Sequence, residues 1–192
     1  MTRFNFRVCE DRDREHLHAL RSHVEAWLSV HGREEQAGPH WSERAHLAID
    51  RLLDAGRFVA LCKNDWPVVV GALSGPDRDF WTEDDDLHSA WYLMRVMTAD
   101  HGHGYGKQLI ETVAVAAAAA GRRSLRIDCM RDNTRLHDYY RSLGFRPVRV
   151  VDHPTRKSGA LFERPLDGLI PADWDTPAHI PPRGFVTDSS RT

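Results

Sequence analysis

Apolar positions recur along this chain at two different spacings, and each change of spacing marks an element. Runs of β-branched and aromatic residues at Phe4–Cys9, Phe58–Cys62 and Val68–Ser74, bounded by Gly, Asn or Pro, predict strands. Leu17, Leu20, Val24, Trp27 and Leu28 step by three and four and predict a first helix. Ala45, Leu47, Ile49, Leu52 and Leu53 predict a second, opened by Ser42 and stopped at Ala55-Gly56. The polar stretch Ser29–His40 between them reads as a loop. Asn64-Asp65 separates two apolar runs and predicts a hairpin turn, which pairs the second and third strands antiparallel.

Further along, the acids of Thr82–Asp86 predict a solvated loop ahead of a fourth strand, Ala90–Thr98. A Gly-rich turn, Asp100–Gly106, leads into a helix over Lys107–Ala120, where the run Ala116–Ala120 favours helix and Gly121 supplies a stop. Ser124–Cys129 predicts a fifth strand. Asp132 and Asn133 are positioned to cap a short helix, Thr134–Leu143, that ends at Gly144. Two last strands, Pro147–Asp152 and Ala160–Arg164, flank the turn His153–Gly159. After Pro165 the composition shifts to proline with Ser, Thr and Asp, which disfavours helix and central strand alike. The pattern therefore predicts one α/β domain over residues 1–165 and a Pro-rich extension over 166–192.

Composition narrows the function classes. The 192 residues are 41% hydrophobic, enough to fill a core at this length. Lys and Arg total 26 against 28 Asp and Glu, so there is no overall basic field for nucleic acid. The longest apolar stretches, Pro67–Leu73 and Val113–Ala120, fall short of the ~20 residues of a membrane span, and the N-terminal residues carry no apolar signal region. Three widely spaced cysteines, Cys9, Cys62 and Cys129, suggest neither a disulfide framework nor a zinc site and fit a cytoplasmic location. His101-x-His103 lies on a glycine turn with no cysteine or carboxylate spacing to complete a metal site, so no metal is expected.

The chemistry concentrates in Met94–Lys107. A strand ends, glycine occupies alternate positions at Gly102, Gly104 and Gly106, and a helix begins. Glycines let backbone N–H groups approach a ligand closely, and a helix start adds unpaired donors and the positive end of a dipole. Together they form an anion cradle suited to a diphosphate. The spacing is not that of a mononucleotide P-loop, since Gly106-Lys107 is followed by Gln108. It is not G-x-G-x-x-G either, although Asp128 lies where a ribose-binding acid would.

His101-Gly102-His103-Gly104-Tyr105-Gly106 resembles the phosphate loop of the GNAT superfamily of acyl-CoA-dependent N-acetyltransferases, Arg/Gln-x-x-Gly-x-Gly/Ala, with His101 in place of Arg or Gln. A second block, Asn133 followed by Tyr140-Arg141-Ser142-Leu143-Gly144-Phe145, is similar to the family's Asn and Tyr-x-x-x-Gly-Phe. The resemblance implies a mixed, mostly antiparallel sheet of about seven strands with about four helices, its fourth and fifth strands splayed. It implies acetyl-CoA as cosubstrate. Met94, Arg95 and Val96 would meet the pantetheine arm, with the Val96 amide facing the thioester oxygen. Gly102, His103, Gly104, Tyr105, Gly106 and Lys107 would hold the diphosphate, and Asn133 would bond the cofactor arm. Tyr140 would be the general acid toward the leaving thiolate, and Asp128 is the candidate base. The implied acceptor is a primary amine of a small molecule or peptide, attacked directly in a ternary complex, and a homodimer is common in the family. The rival readings are Tyr140 packed on Leu136 and Leu143, Asp128 paired with Arg126, Arg131 or another cation, and a non-catalytic acyl-CoA-binding sensor or scaffold.

Overall fold

The computed structural model describes residues 4–30 and 39–169. Seven strands, β1 (Phe4–Val8), β2 (Phe58–Lys63), β3 (Trp66–Ser74), β4 (Ala90–Thr98), β5 (Ser124–Met130), β6 (Arg146–Val150) and β7 (Ser158–Pro165), form one sheet in the order β1-β2-β3-β4-β5-β7-β6. The described residues include four α-helices, α1 (Arg14–Val30), α2 (Pro39–Asp54), α3 (Tyr105–Ala119) and α4 (Thr134–Ser142). The outer strand pairs are antiparallel, whereas β4 and β5 run parallel. The expected mixed sheet, mostly antiparallel, is therefore present.

Differences from the sequence expectation sit at element ends. Ser29 and Val30 close α1, and Pro39 rather than Ser42 opens α2, a first-turn position where the missing proline N–H costs nothing. The rest of the predicted loop, 31–38, lies outside the described residues, as does 170–192 of the Pro-rich segment. That segment begins as ordered backbone: Leu166 is buried and its N–H donates to the Arg123 carbonyl at 2.9 Å. The Asn64-Asp65 turn has both residues at positive φ, 53° and 67°, the conformation of a two-residue hairpin turn.

Chain proximity divides the described residues into two compact units. The first holds residues 4–72 and Arg95–Leu109. Its buried side chains include Leu17 and Leu20 from α1, Ile49 and Leu53 from α2, and Phe58, Ala60, Val69 and Val70 from the hairpin. Of the apolar positions read at helical spacing, Leu17, Leu20, Ala45, Ile49 and Leu53 are removed from water, whereas Trp27 and Leu47 are exposed. Arg7 grips Asp13 through two bonds, 2.7 and 2.9 Å, and Asp13 also accepts the Glu10 N–H at 2.8 Å.

Among the described residues, the second unit holds Leu73–Met94 and 110–169. Phe80, Trp81, Leu87, Ala90, Tyr92 and Leu161 form its aromatic core. Trp81 lies between two guanidinium groups, Arg126 at 4.7 Å and Arg149 at 5.4 Å from its ring centre. Arg126 is 6% exposed, a burial tolerated because Glu163 (2.5 Å), the Tyr92 hydroxyl (2.8 Å) and the Asp85 carbonyl (2.5 Å) satisfy it. The acidic run is exposed, as its composition suggested, except at Asp85, which turns inward. Glu83 pairs with Arg78, Asp85 with Arg149 and Asp86 with Arg123. The Arg149 bonds hold the Asp85 carboxyl down at about 2, so it stays ionised across the physiological range.

Gly159 opens β7 beside β6 at φ +129°, and a Cβ there would lie 2.3 Å from the Val151 carbonyl oxygen. The same two residues exchange a 2.8 Å backbone bond. Gly159→Ala is therefore expected to lower stability by about 1–3 kcal/mol, read as a fall in the thermal midpoint. An unchanged midpoint would mean that the two backbones do not approach this closely.

Candidate active site

In the first unit, β4 ends in a strained backbone. Arg95 sits inside the strand at φ +52°, a left-handed conformation that costs a non-glycine residue about 1–2 kcal/mol. Such a kink interrupts the strand's alternation next to Val96. No residue-type cue announces it, since arginine has no preference for this conformation.

The chain after β4 turns on two glycines at positive φ, Gly102 at +85° and Gly104 at +74°. An added Cβ at either would meet nothing within 4 Å, so conformation rather than crowding selects glycine, and the space before the loop is open. α3 starts immediately: the Gln108 N–H donates to the Gly104 carbonyl at 3.0 Å. The N–H groups of Tyr105, Gly106 and Lys107 find no backbone acceptor among the described residues, as expected for a first helical turn. Lys107 and His103 are exposed beside these amides. Tyr105 is half-buried between Phe4, at 6.1 Å between ring centres, and His103, at 5.7 Å. His101, which stands where the resemblance expects a cation, stacks on Trp27 of α1 at 5.0 Å. Gly106 keeps a negative φ and serves the helix rather than the turn.

In the second unit, the parallel pairing of β4 with β5 runs only from Ala90–Ser124 to Tyr92–Arg126. Beyond it the two strands no longer share hydrogen bonds, and a small pocket opens, lined by Leu93 and Met94 on β4 and Ile127 and Asp128 on β5, with Asp77 and Trp81 from the β3–β4 loop. This is the expected splay. β5 keeps full antiparallel pairing with β7 on its other edge, so the opening is confined to one side.

Asp128 lines that pocket half-buried, and no cation hydrogen-bonds it among the described residues. The arginines weighed as its partners are committed elsewhere: Arg126 to Glu163, and Arg131 to Asp152. Burial pushes its carboxyl above the usual carboxylate range; Arg156 and Ser158 pull it back, and Asp77 pushes it further up. Nearby, burial and Asp128 push the Cys129 thiol up to about 12.

Tyr140 packs on α4 with ring centres 5.6 Å from Phe145 and 6.2 Å from Phe162. Its hydroxyl forms no hydrogen bond among the described residues. Burial raises its ionisation well above the usual phenol range, with Cys129, Tyr139 and Asp128 adding to the effect, so the proton is retained through neutral pH. Tyr139, the rival at the same turn, is the more exposed of the pair. Asn133 caps α4, its side-chain oxygen accepting the Leu136 N–H at 3.2 Å. That use engages the oxygen and leaves the amide NH2 for another partner. Among the described residues no cluster of three or more His, Cys, Asp or Glu could hold a metal ion, and no helix is long and apolar enough to cross a membrane.

Comparison with known proteins gives the same direction from outside the chain. An uncharacterized N-acetyltransferase of Bacillus subtilis, YesJ, is 25% identical over 138 residues, 69% of this chain and 76% of the relative. A GNAT-family acetyltransferase structure from Listeria monocytogenes superposes with a TM-score of 0.62 at 20% identity, covering 84% of this chain and 94% of the other. The PaiA N-acetyltransferase of Thermoplasma acidophilum, solved with coenzyme A, gives 0.62 at 15% identity, covering 85% and 99%. The profile of the acetyltransferase (GNAT) family matches residues 18–145, which run from α1 through the kinked β4 and the glycine turn to the Gly-Phe after α4. With that match over most of the folded chain, this protein belongs to the GNAT acetyltransferase family.

Proposed function

We propose that the protein transfers an acetyl group from acetyl-CoA directly to a primary amine of a small molecule or peptide. The observation that carries this reading is the open glycine turn at the start of α3, with its three unpaired N–H groups. Those donors and the helix dipole suit a diphosphate, and the coenzyme A held by the Thermoplasma relative supplies the chemical precedent. Gly102, Gly104, Gly106 and the amides of His103, Tyr105 and Lys107 take the phosphates. Met94, Arg95 and Val96 meet the pantetheine arm, and the free NH2 of Asn133 donates to it.

Asp128 takes the proton that the acceptor amine must lose before its lone pair can attack; an alkyl amine of pKa ~10.4 is otherwise protonated at neutral pH. The amine nitrogen bonds to the thioester carbon while the Val96 N–H accommodates the negative charge building on the carbonyl oxygen. The carbon–sulfur bond then breaks and Tyr140 donates to the departing sulfur. The thiolate of a thiol of pKa ~8.5 is a weaker base than this buried phenolate, so Tyr140 acts by hydrogen bonding in the transition state; the adduct nitrogen releases its second proton to solvent as it becomes an amide, and the thiolate takes one from solvent. Three buried, unbridged thiols favour the reducing cytoplasm as its place of work.

Calorimetry with coenzyme A tests the cradle. The wild-type chain should bind. Gly104→Ala, which forces a Cβ into φ +74°, should bind about tenfold or more weakly, with its melting temperature lowered by about a few degrees. No uptake by folded wild-type protein would overturn the assignment. Binding without acetyl-CoA consumption across a panel of amines would favour a sensor or scaffold instead.

A further inference from the structure

Two side chains of the β6–β7 loop reach the β3–β4 loop of the second unit: Arg156, and His153, whose Nε2 lies 3.7 Å from the Asp79 carboxylate. Arg156 donates to the Asp77 carboxylate at 2.6 Å and to Asp79 at 3.1 Å, and its guanidinium lies 4.1 Å from the Phe80 ring centre. Its second terminal nitrogen reaches the Ser158 hydroxyl at 3.4 Å. Asp77 lines the same pocket as Asp128. One nitrogen, Nη1, bridges both carboxylates, which a lysine ammonium can also do; the planar stacking on Phe80 and the second nitrogen at Ser158 are what arginine adds.

We propose that Arg156 is a positioning residue: it pins the β6–β7 loop to Asp77 and Asp79 and presents the positive charge that Asp128 faces. The inference builds on the proposed base role of Asp128 for its kinetic consequence, but the electrostatic relation itself does not require that role. The charged and titratable groups around Asp128 are Arg156 from one loop, Asp77 from the other, Cys129 beside it on β5 and Tyr140 from α4. Of these, Arg156 alone stabilises the carboxylate form, and Asp77 opposes it. Asp77 is itself largely neutralised by its bond to Arg156, so losing the arginine also exposes Asp128 to an uncompensated acid. The clasp thus sets both the loop's position and the ionisation of the acid at the pocket.

Carbon-detected NMR titration of the Asp128 carboxyl in aspartate-labelled protein tests this without an acceptor. Arg156→Met should move the Asp128 midpoint upward, Arg156→Lys should leave it near wild type, and Asp77→Asn should move it downward. Opposite shifts from two residues of one clasp cannot come from a general loosening of the pocket. A midpoint unmoved in folded Arg156→Met, or moved the same way in all three variants, overturns the proposal. Should Arg156→Met not fold, Asp77→Asn decides, since an unshifted or raised midpoint there is equally fatal. In turnover, the acid limb of Arg156→Met should move to higher pH with the same sign. An acid limb that persists unchanged in Asp128→Asn refutes the base role alone and leaves the NMR result standing.

Discussion

Asp128→Asn is expected to reduce acetyl transfer by about 10²–10⁴-fold while leaving coenzyme A affinity near wild type. The amide keeps the shape of the side chain and its place in the β4–β5 pocket but cannot accept a proton at neutral pH. The pH dependence sharpens the expectation. Burial holds the carboxyl above the ordinary range, so the wild-type rate should fall, as pH decreases, at a higher pH than for an exposed aspartate. Protonation is what removes the base, hence the loss is on the acid side. In Asp128→Asn the remaining rate should lack that limb and rise only as the free amine itself becomes available at alkaline pH. Release of coenzyme A thiol, followed against pH with any accepted amine, provides the measurement. A variant with wild-type turnover and an unaltered profile would assign the proton to a water relay.

Tyr140→Phe should lower turnover by about 10²-fold with little change in coenzyme A affinity. The substitution removes one oxygen and keeps the ring against Phe145 and Phe162, so folding is not the variable being tested. That hydroxyl has no partner within the described residues, and burial keeps it protonated, which is the condition for donating to a developing thiolate. Tyr139→Phe is the matched control, expected near wild type. Equal activity of Tyr140→Phe and wild type at all pH values would return Tyr140 to a packing role. Loss in both variants would point to the aromatic cluster as a whole.

Local pattern carried the fold a long way because each element here obeys one periodicity. The apolar steps of α1 and α2, the hairpin at Asn64-Asp65, the alanine run of α3 and the alternate glycines before it each report a single local preference, and each is realised. The glycine turn was legible for a conformational reason: left-handed backbone at residues 102 and 104 selects the residue that lacks a Cβ. Tyr140 and Asp128 were singled out through the family resemblance, and the variants above test the roles it implies.

What only the folded chain decided involves partners distant in sequence. Composition made Glu83–Asp86 a solvated run, and most of it is; the fold singles out Asp85, which Arg149 draws inward beside Trp81. Whether Asp128 was free or salt-bridged turned on where Arg126 and Arg131 went, and Glu163 and Asp152 claim them. The left-handed Arg95 carries no compositional mark, because its strain is held by the surrounding sheet. The Arg156 clasp joins residues 79 positions apart in the chain. Electrostatic pairing depends on distance in space, and a linear pattern reports that distance only within a few residues. The residue types and local dihedral demands of the chain thus specified the elements and the glycine turn, and tertiary packing allocated the charges around Asp128 and Trp81.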